Sequence, residues 1–428
     1  MRGVAGRSTS VLLVAAVLGA ALSGCGDDRA GGQVTLRFVW WGNEDRAEVT
    51  RNAVDEFQRR NPEIKVETEY SGYDPYFQKL STQVAGGTSP DLLQLDRPTL
   101  GEYAKRNVLA DLGEYAGKSL RVDRISSNLL AGGKVDGKQY AIAAGQTTQA
   151  LILDPALFAA AGATAPTEAG QTWTWAQFAE AMNRIGAQGA VAGTTDPGWA
   201  VDWFEVWLRQ NGKQLYTEDG ELGFEAADLE RYWTMFGKLR ATKGVTPPEV
   251  TTKQDGGLQN SGMVTRKAAS EVGYDSSLTG YFSTYGQSLK TASLPSDNAS
   301  EPGMAALPPV SFAVSQRSKH KEAAVKLLDF LLNDPDAGKV LGASRGVPPN
   351  EDIRAQVCAS STGGNKLVCD HQAAQKDKMG PAFGPWPSGS SAIKRDFQRT
   401  YDDVIFKRAN VGEAARRVVQ DAKLSLGY

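Results

Sequence analysis

Apolar and polar positions alternate where the first element begins: Val34, Leu36, Phe38 and Trp40 share one face of an extended segment, the two-residue period of a strand. After Gly42-Asn43-Glu44-Asp45 the spacing changes. Val49, Ala53, Val54 and Phe57 recur at helical intervals until Asn61-Pro62 stops the run, because proline cannot continue a helix. Ile64, Val66, Thr68 and Tyr70 then alternate again. Strand, helix and strand in so short a span make a βαβ unit, which predicts two parallel neighbouring strands joined by a right-handed crossover. A second helix is predicted over 75–84 and a third strand over 91–96, separated by Gly-Gly-Thr-Ser-Pro. The chain opens as α/β.

Further along, residues 140–144 and 150–153 read as two halves of one extended stretch. The polar run Gly145-Gln146-Thr147-Thr148-Gln149 interrupts it, as suits a crossover between domains. Helical periodicity is predicted over 174–186, 198–211, 226–242, 319–332, 392–408 and 411–425. The last begins with Asn410-Val411-Gly412-Glu413, which has the spacing of a capping box. Segments rich in Pro and Gly, 293–309 and 380–389, read as loops or hinges. No internal repeat or low-complexity tract is visible.

Composition narrows the function. With 49 acidic and 47 basic residues the net charge is −2, and 41% of positions are apolar. That leaves neither the basic excess of a nucleic-acid binder nor the polar, highly charged make-up of a disordered chain. A length of 428 residues is compatible with two or three domains. Only His320 and His371 are present, which excludes a multi-histidine metal centre.

The first 25 residues read as a targeting segment. Arg2 and Arg7 form a positive region, residues 11–22 an apolar one too short to span a bilayer, and Leu22-Ser23-Gly24-Cys25 resembles a bacterial lipobox. Cleavage before Cys25 would leave a lipidated cysteine on a tether, residues 26–33, of at most about 28 Å. The alternatives are an ordinary signal peptide with a chance cysteine, or an uncleaved anchor helix. Losing residues 1–24 removes Arg2 and Arg7 and moves the net charge from −2 to −4. Cys358 and Cys369 then remain as an even pair, read as a disulfide in an exported protein, with two free thiols as the alternative. A zinc site would need more ligands than Cys358, Cys369 and His371.

The run from Thr35 to Leu112, with TLRFVWWGN, AVDEFQRRNPEIKVETEY, YDPYFQKLSTQVAGGTSPDLLQLD and GEYAKRNVLADL, resembles the N-terminal lobe of extracellular solute-binding proteins of sugar-type ABC importers, the family that includes the maltose-binding protein. The resemblance resumes in order at Tyr140-Ala-Ile-Ala, Trp173-Thr-Trp-Ala-Gln-Phe, VSFAVSQRSKHKEAAVKLLDFLLND and Ser344-Arg345-Gly346-Val347-Pro348, and so covers most of the chain. It departs at Asp154, where many relatives carry an asparagine after a tyrosine. The resemblance implies an α/β, two-lobe periplasmic-binding-protein-like fold with the ligand cleft between lobes. It assigns 34–146 plus 296–343 to the N-terminal lobe and 147–295 plus 344–428 to the C-terminal lobe. It also implies a monomer that takes a mono- or oligosaccharide, delivers it to ABC permease subunits, and needs no cofactor or metal.

Candidate site residues follow from the chemistry of a sugar, whose apolar face wants aromatic rings and whose hydroxyls want amides, carboxylates or arginine. In open α/β sheets ligands sit beyond the carboxyl ends of the strands. That rim holds Trp41, Asn43 and Glu44 after the first strand and Asp96-Arg97 after the third. Trp40 is expected in the core, with Trp41 facing the cleft or packing under a helix. Trp199, Trp203 and Trp207 have the spacing of one helix face; Trp199 and Trp203 are assigned to the cleft and Trp207 to the core. The family pattern implies stacking by Tyr274, with Asp275 beside it, and by Trp386 in a proline-flanked loop. Gln146 and Arg345, on interlobe segments, are candidates for sugar hydroxyls, with an interlobe structural role as the alternative.

Enzymatic alternatives fit less well. Gly342-Ala343-Ser344-Arg345-Gly346 matches the nucleophile-elbow pattern, yet a helical stretch precedes it and Val347-Pro348-Pro349 follows, where strand and helix are required. A glycosidase needs only two carboxylates across a sugar, but the eight-strand pattern of many such barrels is missing. No phosphate-binding glycine motif occurs. A same-fold receptor for a peptide or polyamine remains the main competitor.

Overall fold

Strand β1, Val34–Trp41, pairs in parallel with β2, Ile64–Ser71, from Val34 opposite Ile64 to Trp41 opposite Ser71, and on its other side with β3, Leu92–Leu95. The computed structural model describes residues 33–428 apart from 169–170, 287, 299, 382 and 385. The readings made on the leader, Cys25 and most of the tether lie outside the described residues. Alternation in β1 does what the period requires: Leu36, Phe38 and Trp40 are fully buried in one cluster, while Trp41 turns to the opposite face.

Helix α1, Glu44–Arg60, connects β1 to β2 and buries Ala47, Ala53, Val54 and Phe57 on one stripe. Asn61 ends it, its side-chain amide donating to the Phe57 carbonyl at 2.8 Å. Helix α2, Tyr73–Ala85, starts two residues earlier than the pattern predicts. β3 is shorter than predicted, because Asp91 bonds the Arg37 amide and Asp96 caps the next helix, α3, Arg97–Lys105. The first sheet is completed by Ser311–Val314, antiparallel to β3, and Ile142–Ala143, antiparallel to Ser311–Val314.

A second sheet is antiparallel throughout: Gln149–Leu153 runs between Ser270–Tyr274 and Lys290–Ala292. The chain therefore passes from the first sheet to the second between Ala143 and Gln149. Around the second sheet pack helices Trp175–Ala187, Val201–Gln210, Ala226–Ala241, Ser390–Ile405 and Val411–Leu426, over a core that includes Phe204, Tyr232, Trp233, Phe236, Phe397 and Tyr401. Trp207 is buried there. The result is two α/β lobes, one built on each sheet.

Two local readings change. The helix predicted from 198 begins at Val201, since Pro197–Trp199 forms a separate 3-10 turn capped by Asp196. At Asn410 the cap bond goes to the Gly412 amide, so Glu413 does not close a capping box. The helix Pro335–Leu341 ends at Gly342, whose φ of 54° is left-handed, and Ser344 follows in a turn rather than on a strand.

Cys358 and Cys369 are joined, 11 residues apart in sequence, linking helix Glu351–Ser360 to helix Gly363–Gln375. Closing so short a loop restricts the unfolded chain. Replacing both cysteines by serine is expected to lower the unfolding free energy by about 3 kcal/mol. Urea titration of the two proteins checks this, and coincident curves would contradict it.

Candidate functional site

Between the lobes lies a cavity of about 770 Å³. Its first wall comes from the carboxyl-end rim of the parallel strands: Tyr73, Asp74 and Phe77 from the first turns of α2, and Asp96, Thr99, Glu102 and Tyr103 from α3 and its cap. Asp96 is fixed twice over. It accepts from the Thr99 amide at 3.1 Å as the helix cap and from the Tyr73 hydroxyl at 2.6 Å.

The second wall carries Trp199 from the 3-10 turn, Asp202 and Trp203 from the start of helix Val201–Gln210, Tyr274 from the strand end, and Lys394, Arg395 and Gln398 from helix Ser390–Ile405. Trp203 and Tyr274 form a pair with ring centroids 4.9 Å apart. The Tyr274 hydroxyl donates to Asp202 at 3.2 Å, and Lys394 stands 3.5 Å from the same carboxylate. Burial pushes the Asp202 carboxyl up, but Lys394, Arg97 and the Tyr274 bond outweigh it and hold the group below the usual carboxylate range. Asp202 is therefore an ionised acceptor near neutral pH.

Behind this cavity the lobes touch. Arg97 forms an ion pair with Glu205, both side chains 9% exposed, and its guanidinium lies 4.8 Å from the Trp386 ring and 5.0 Å from Phe383. The α3 backbone at Gly101 approaches the Trp386 carbonyl so closely that a Cβ would sit 2.7 Å from it. Glu205 and Trp386 also line a second interlobe cavity of about 760 Å³, with Arg209, Tyr216 and Phe383.

Of the residues singled out in the sequence, Asp96, Trp199, Trp203 and Tyr274 come together on the cleft walls. Trp386 and Arg97 form the partition behind them. Trp41 backs the first wall instead of lining it, packed 5.3 to 5.5 Å from Tyr73, Tyr76 and Phe77 under α2. Asn43 spends its side chain capping α1, and Glu44 is bound to Arg51 and Tyr70.

Gln146, Asp275 and Arg345 lie deep in the interlobe joint. Gln146 donates to Gln372 at 2.8 Å and accepts from Arg354 at 2.7 Å. Asp275 is fully buried and accepts from the Thr147 hydroxyl at 2.6 Å, the Thr148 amide at 3.1 Å and Gln372. Arg345 bonds Gln94 and Thr50. Sequence reasoning passed over Tyr73, Phe77, Asp202 and Lys394. The rim rule that found Trp41 and Asp96 applies equally to Tyr73, which follows the end of β2.

The other acidic groups of the cleft are largely engaged. Asp196 pairs with Arg240 and accepts from Tyr401, and Glu271 accepts from the Thr195 and Ser261 hydroxyls. His371 donates Nε2–H to the Gln149 carbonyl at 3.0 Å, and burial pulls it down to about 4, which keeps it neutral. Among the described residues no cluster of three potential metal ligands occurs, and no helix is long and apolar enough to cross a membrane.

The family profile described as bacterial extracellular solute-binding protein matches residues 41–338. The chain belongs to this family. An extracellular family 1 solute-binding protein from Alicyclobacillus acidocaldarius is 30% identical, covers 92% of this chain and 99% of its own, and superposes with a TM-score of 0.70. An ABC substrate-binding protein from Listeria monocytogenes, in complex with cycloalternan, shares the fold at a TM-score of 0.78, with 21% identity over 92% of this chain and all of its own. An uncharacterized lipoprotein encoded in the oleD 5′ region of Streptomyces antibioticus is 30% identical over 42% of this chain, which spans 40% of that relative. Membership makes this a solute-binding protein.

The buried carboxylate at the joint gives the solute-binding protein a pH signature. Burial pushes Asp275 up to about 7, against the bonds from Thr147, Thr148 and Gln372. An unfolded aspartate releases its proton near pH 4, so between about pH 4 and 7 the folded state holds the extra proton. The group's contribution is thus fullest below pH 4 and is lost as pH rises to 7. Asp275→Asn is expected to reduce the fall in unfolding free energy between pH 5 and 7.5 by roughly 2 kcal/mol. Parallel pH slopes for the two proteins would contradict it.

Proposed function

We propose that this solute-binding protein captures a carbohydrate by closing its lobes and hands it to the permease of an ABC importer. The observation that carries the reading is the makeup of the cleft. Rings from both lobes, Tyr73 and Phe77 facing Trp199, Trp203 and Tyr274, stand beside the fixed acceptors Asp96 and Asp202 and the donor Lys394. Rings cover the apolar face of a sugar, and oriented polar groups meet its hydroxyls. A structural relative solved in complex with cycloalternan supports the same reading.

The site assignment is Asp96, Trp199, Trp203 and Tyr274 as first contacts, with Arg97 and Trp386 as the partition against which the lobes close. Trp41, Asn43, Glu44, Gln146, Asp275 and Arg345 act behind the site, through the scaffold. The hinge comprises the passages near Gln146, between Ala292 and Ser311, and after Ser344. The protein works as a monomer, anchored by lipid at Cys25 on the extracytoplasmic face, a placement that a lipoprotein relative supports.

A second reading, an amine-bearing solute such as a polyamine, is favoured by the balance of charges lining the cleft. Asp74, Asp96, Glu102, Asp196, Asp202, Asp255 and Glu271 face only Lys394 and Arg395. Carbohydrate ranks first because aromatic rings line both walls of the same cleft, Asp196 and Asp202 are paired with Arg240 and Lys394, and Glu271 is spent on the Thr195 and Ser261 hydroxyls.

A thermal-shift panel of mono-, di- and oligosaccharides, with spermidine as the amine arm, separates the two. A ligand at 100 times its dissociation constant adds about 2.7 kcal/mol of stability. For the responding ligand, Trp203→Ala and Tyr274→Ala are each expected to weaken binding at least tenfold in calorimetric titration, with a much smaller effect on the unfolding of the free protein. Stabilisation by spermidine alone would select the second reading, and variants that bind normally would remove these rings from the site.

A further inference from the structure

Among the described residues Arg345 is a buried cation without a counter-charge. It is 4% exposed, its Nε donates to Gln94 at 3.0 Å and one Nη to the Thr50 hydroxyl at 2.9 Å, and both partners are neutral. Its Nη2 meets no acceptor among the described residues. The nearest charged group is a second cation, Arg46, whose guanidinium donates only to the carbonyls of Ser344 at 3.1 Å and Trp41 at 3.3 Å.

Isolation of this kind is costly. Removing a guanidinium from water is repaid in most proteins by a carboxylate, and here two neighbouring cations repel each other instead. The faces of Phe312, 5.3 Å away, and Trp40, 6.0 Å away, offset part of that cost but leave Nη2 without a partner. Burial and Arg46 together hold Arg345 well below the ordinary arginine range.

A small, partly enclosed cavity adjoins the same side chain. Its free space is about 20 Å³, enough for the centre of one water-sized particle. Arg345, Ser344 and Thr50 supply its polar wall, and the remainder, including Phe312, Leu331 and Leu341, is apolar; no acidic side chain lines it. The Thr50 hydroxyl is already spent on the Arg46 carbonyl at 2.6 Å, which leaves the open guanidinium N–H and the Ser344 hydroxyl beside an otherwise apolar pocket; these are matched by a small anion, which accepts a hydrogen bond and cancels the buried charge.

We propose that the cavity beside Arg345 and Ser344 binds one small monovalent inorganic anion of the size of chloride, separate from the solute cleft. The site sits at the joint, since the Arg345 carbonyl lies 1.8 Å from where a Cβ on Gly145 would be, and Gly145 precedes the segment that leaves the first sheet. Anion binding therefore stabilises the junction between the lobes.

The test uses the full chain and two halide probes. Melting is followed from zero to 200 mM sodium chloride, with sodium gluconate holding ionic strength constant because gluconate is too large for the cavity. The expected result is a Tm that rises by roughly 2 to 4 °C and saturates, whereas Ser344→Ala needs more chloride and Arg345→Met shows no such rise. Crystals of the unaltered protein soaked in bromide are expected to show one anomalous peak within hydrogen-bonding distance of Arg345 Nη2, a readout that survives if Arg345→Met fails to fold. A Tm independent of chloride, or water alone at that position in bromide-soaked crystals, would overturn the proposal.

Discussion

The structure depends on how closely the connecting segments lie against one another. Gln146 and Val347 exchange backbone hydrogen bonds of 2.7 and 3.0 Å, and Thr147 and Leu307 exchange bonds of 2.8 and 2.9 Å, so three passages of the chain form a small ladder between the sheets. The spacing leaves no room for a side chain at two positions. A Cβ on Gly145 would meet the Arg345 carbonyl at 1.8 Å, and one on Gly346, whose φ is 81°, would meet the Gln146 carbonyl at 2.3 Å. Only glycine satisfies both contacts without displacing the backbone. The first sheet therefore takes strands from both sides of the ladder, whereas the three strands of the second all lie between Thr147 and Leu307. That division allows two well-packed bodies to move against each other by changing a few torsions.

Between the lobes stand two kinds of interaction with different reach. The Arg97–Glu205 pair joins the first lobe to the second in a nearly dry setting, stacked on Trp386 and Phe383. A buried pair of this kind contributes less net stability than its Coulomb attraction, because both groups give up water, yet it strongly penalises arrangements that leave either partner unpaired. It fixes how the two lobes meet more than how strongly they do so. The rings of Trp203, Tyr274 and Tyr73 supply apolar surface that a bound solute can cover. The interlobe partition and the rings of the cleft are thus separate sets of residues.

The first half of the fold was legible from periodicity alone. Two-residue alternation in Val34, Leu36, Phe38 and Trp40, followed by helical spacing to Phe57, reproduces β1 and α1 because one face of each is buried and the other wet. The crossover at Gly145 to Gln149 was visible as a polar break in an apolar stretch. Less legible were Ser270–Tyr274 and Lys290–Ala292, short strands whose partners lie far away in sequence, and helices such as Gly363–Gln375, whose weak apolar stripe follows from packing against several elements rather than one. The site divides along the same line. Of the residues that line the cleft, Asp96 follows the end of β3, Tyr274 ends a strand, Trp199 follows a turn signal, and Trp203 follows Trp199 at helical spacing. Asn43, Gln146, Asp275 and Arg345 carry equally suitable chemistry but spend it on caps and on the joint, which residue type does not reveal.

The central claim is that ligand binding and lobe closure are one event. Small-angle scattering of the protein with and without a saturating carbohydrate that stabilises it tests this most directly, alongside far-ultraviolet circular dichroism. The account predicts a smaller radius of gyration in the saturated protein with no change in secondary structure. An unchanged radius at saturation would contradict closure around the solute.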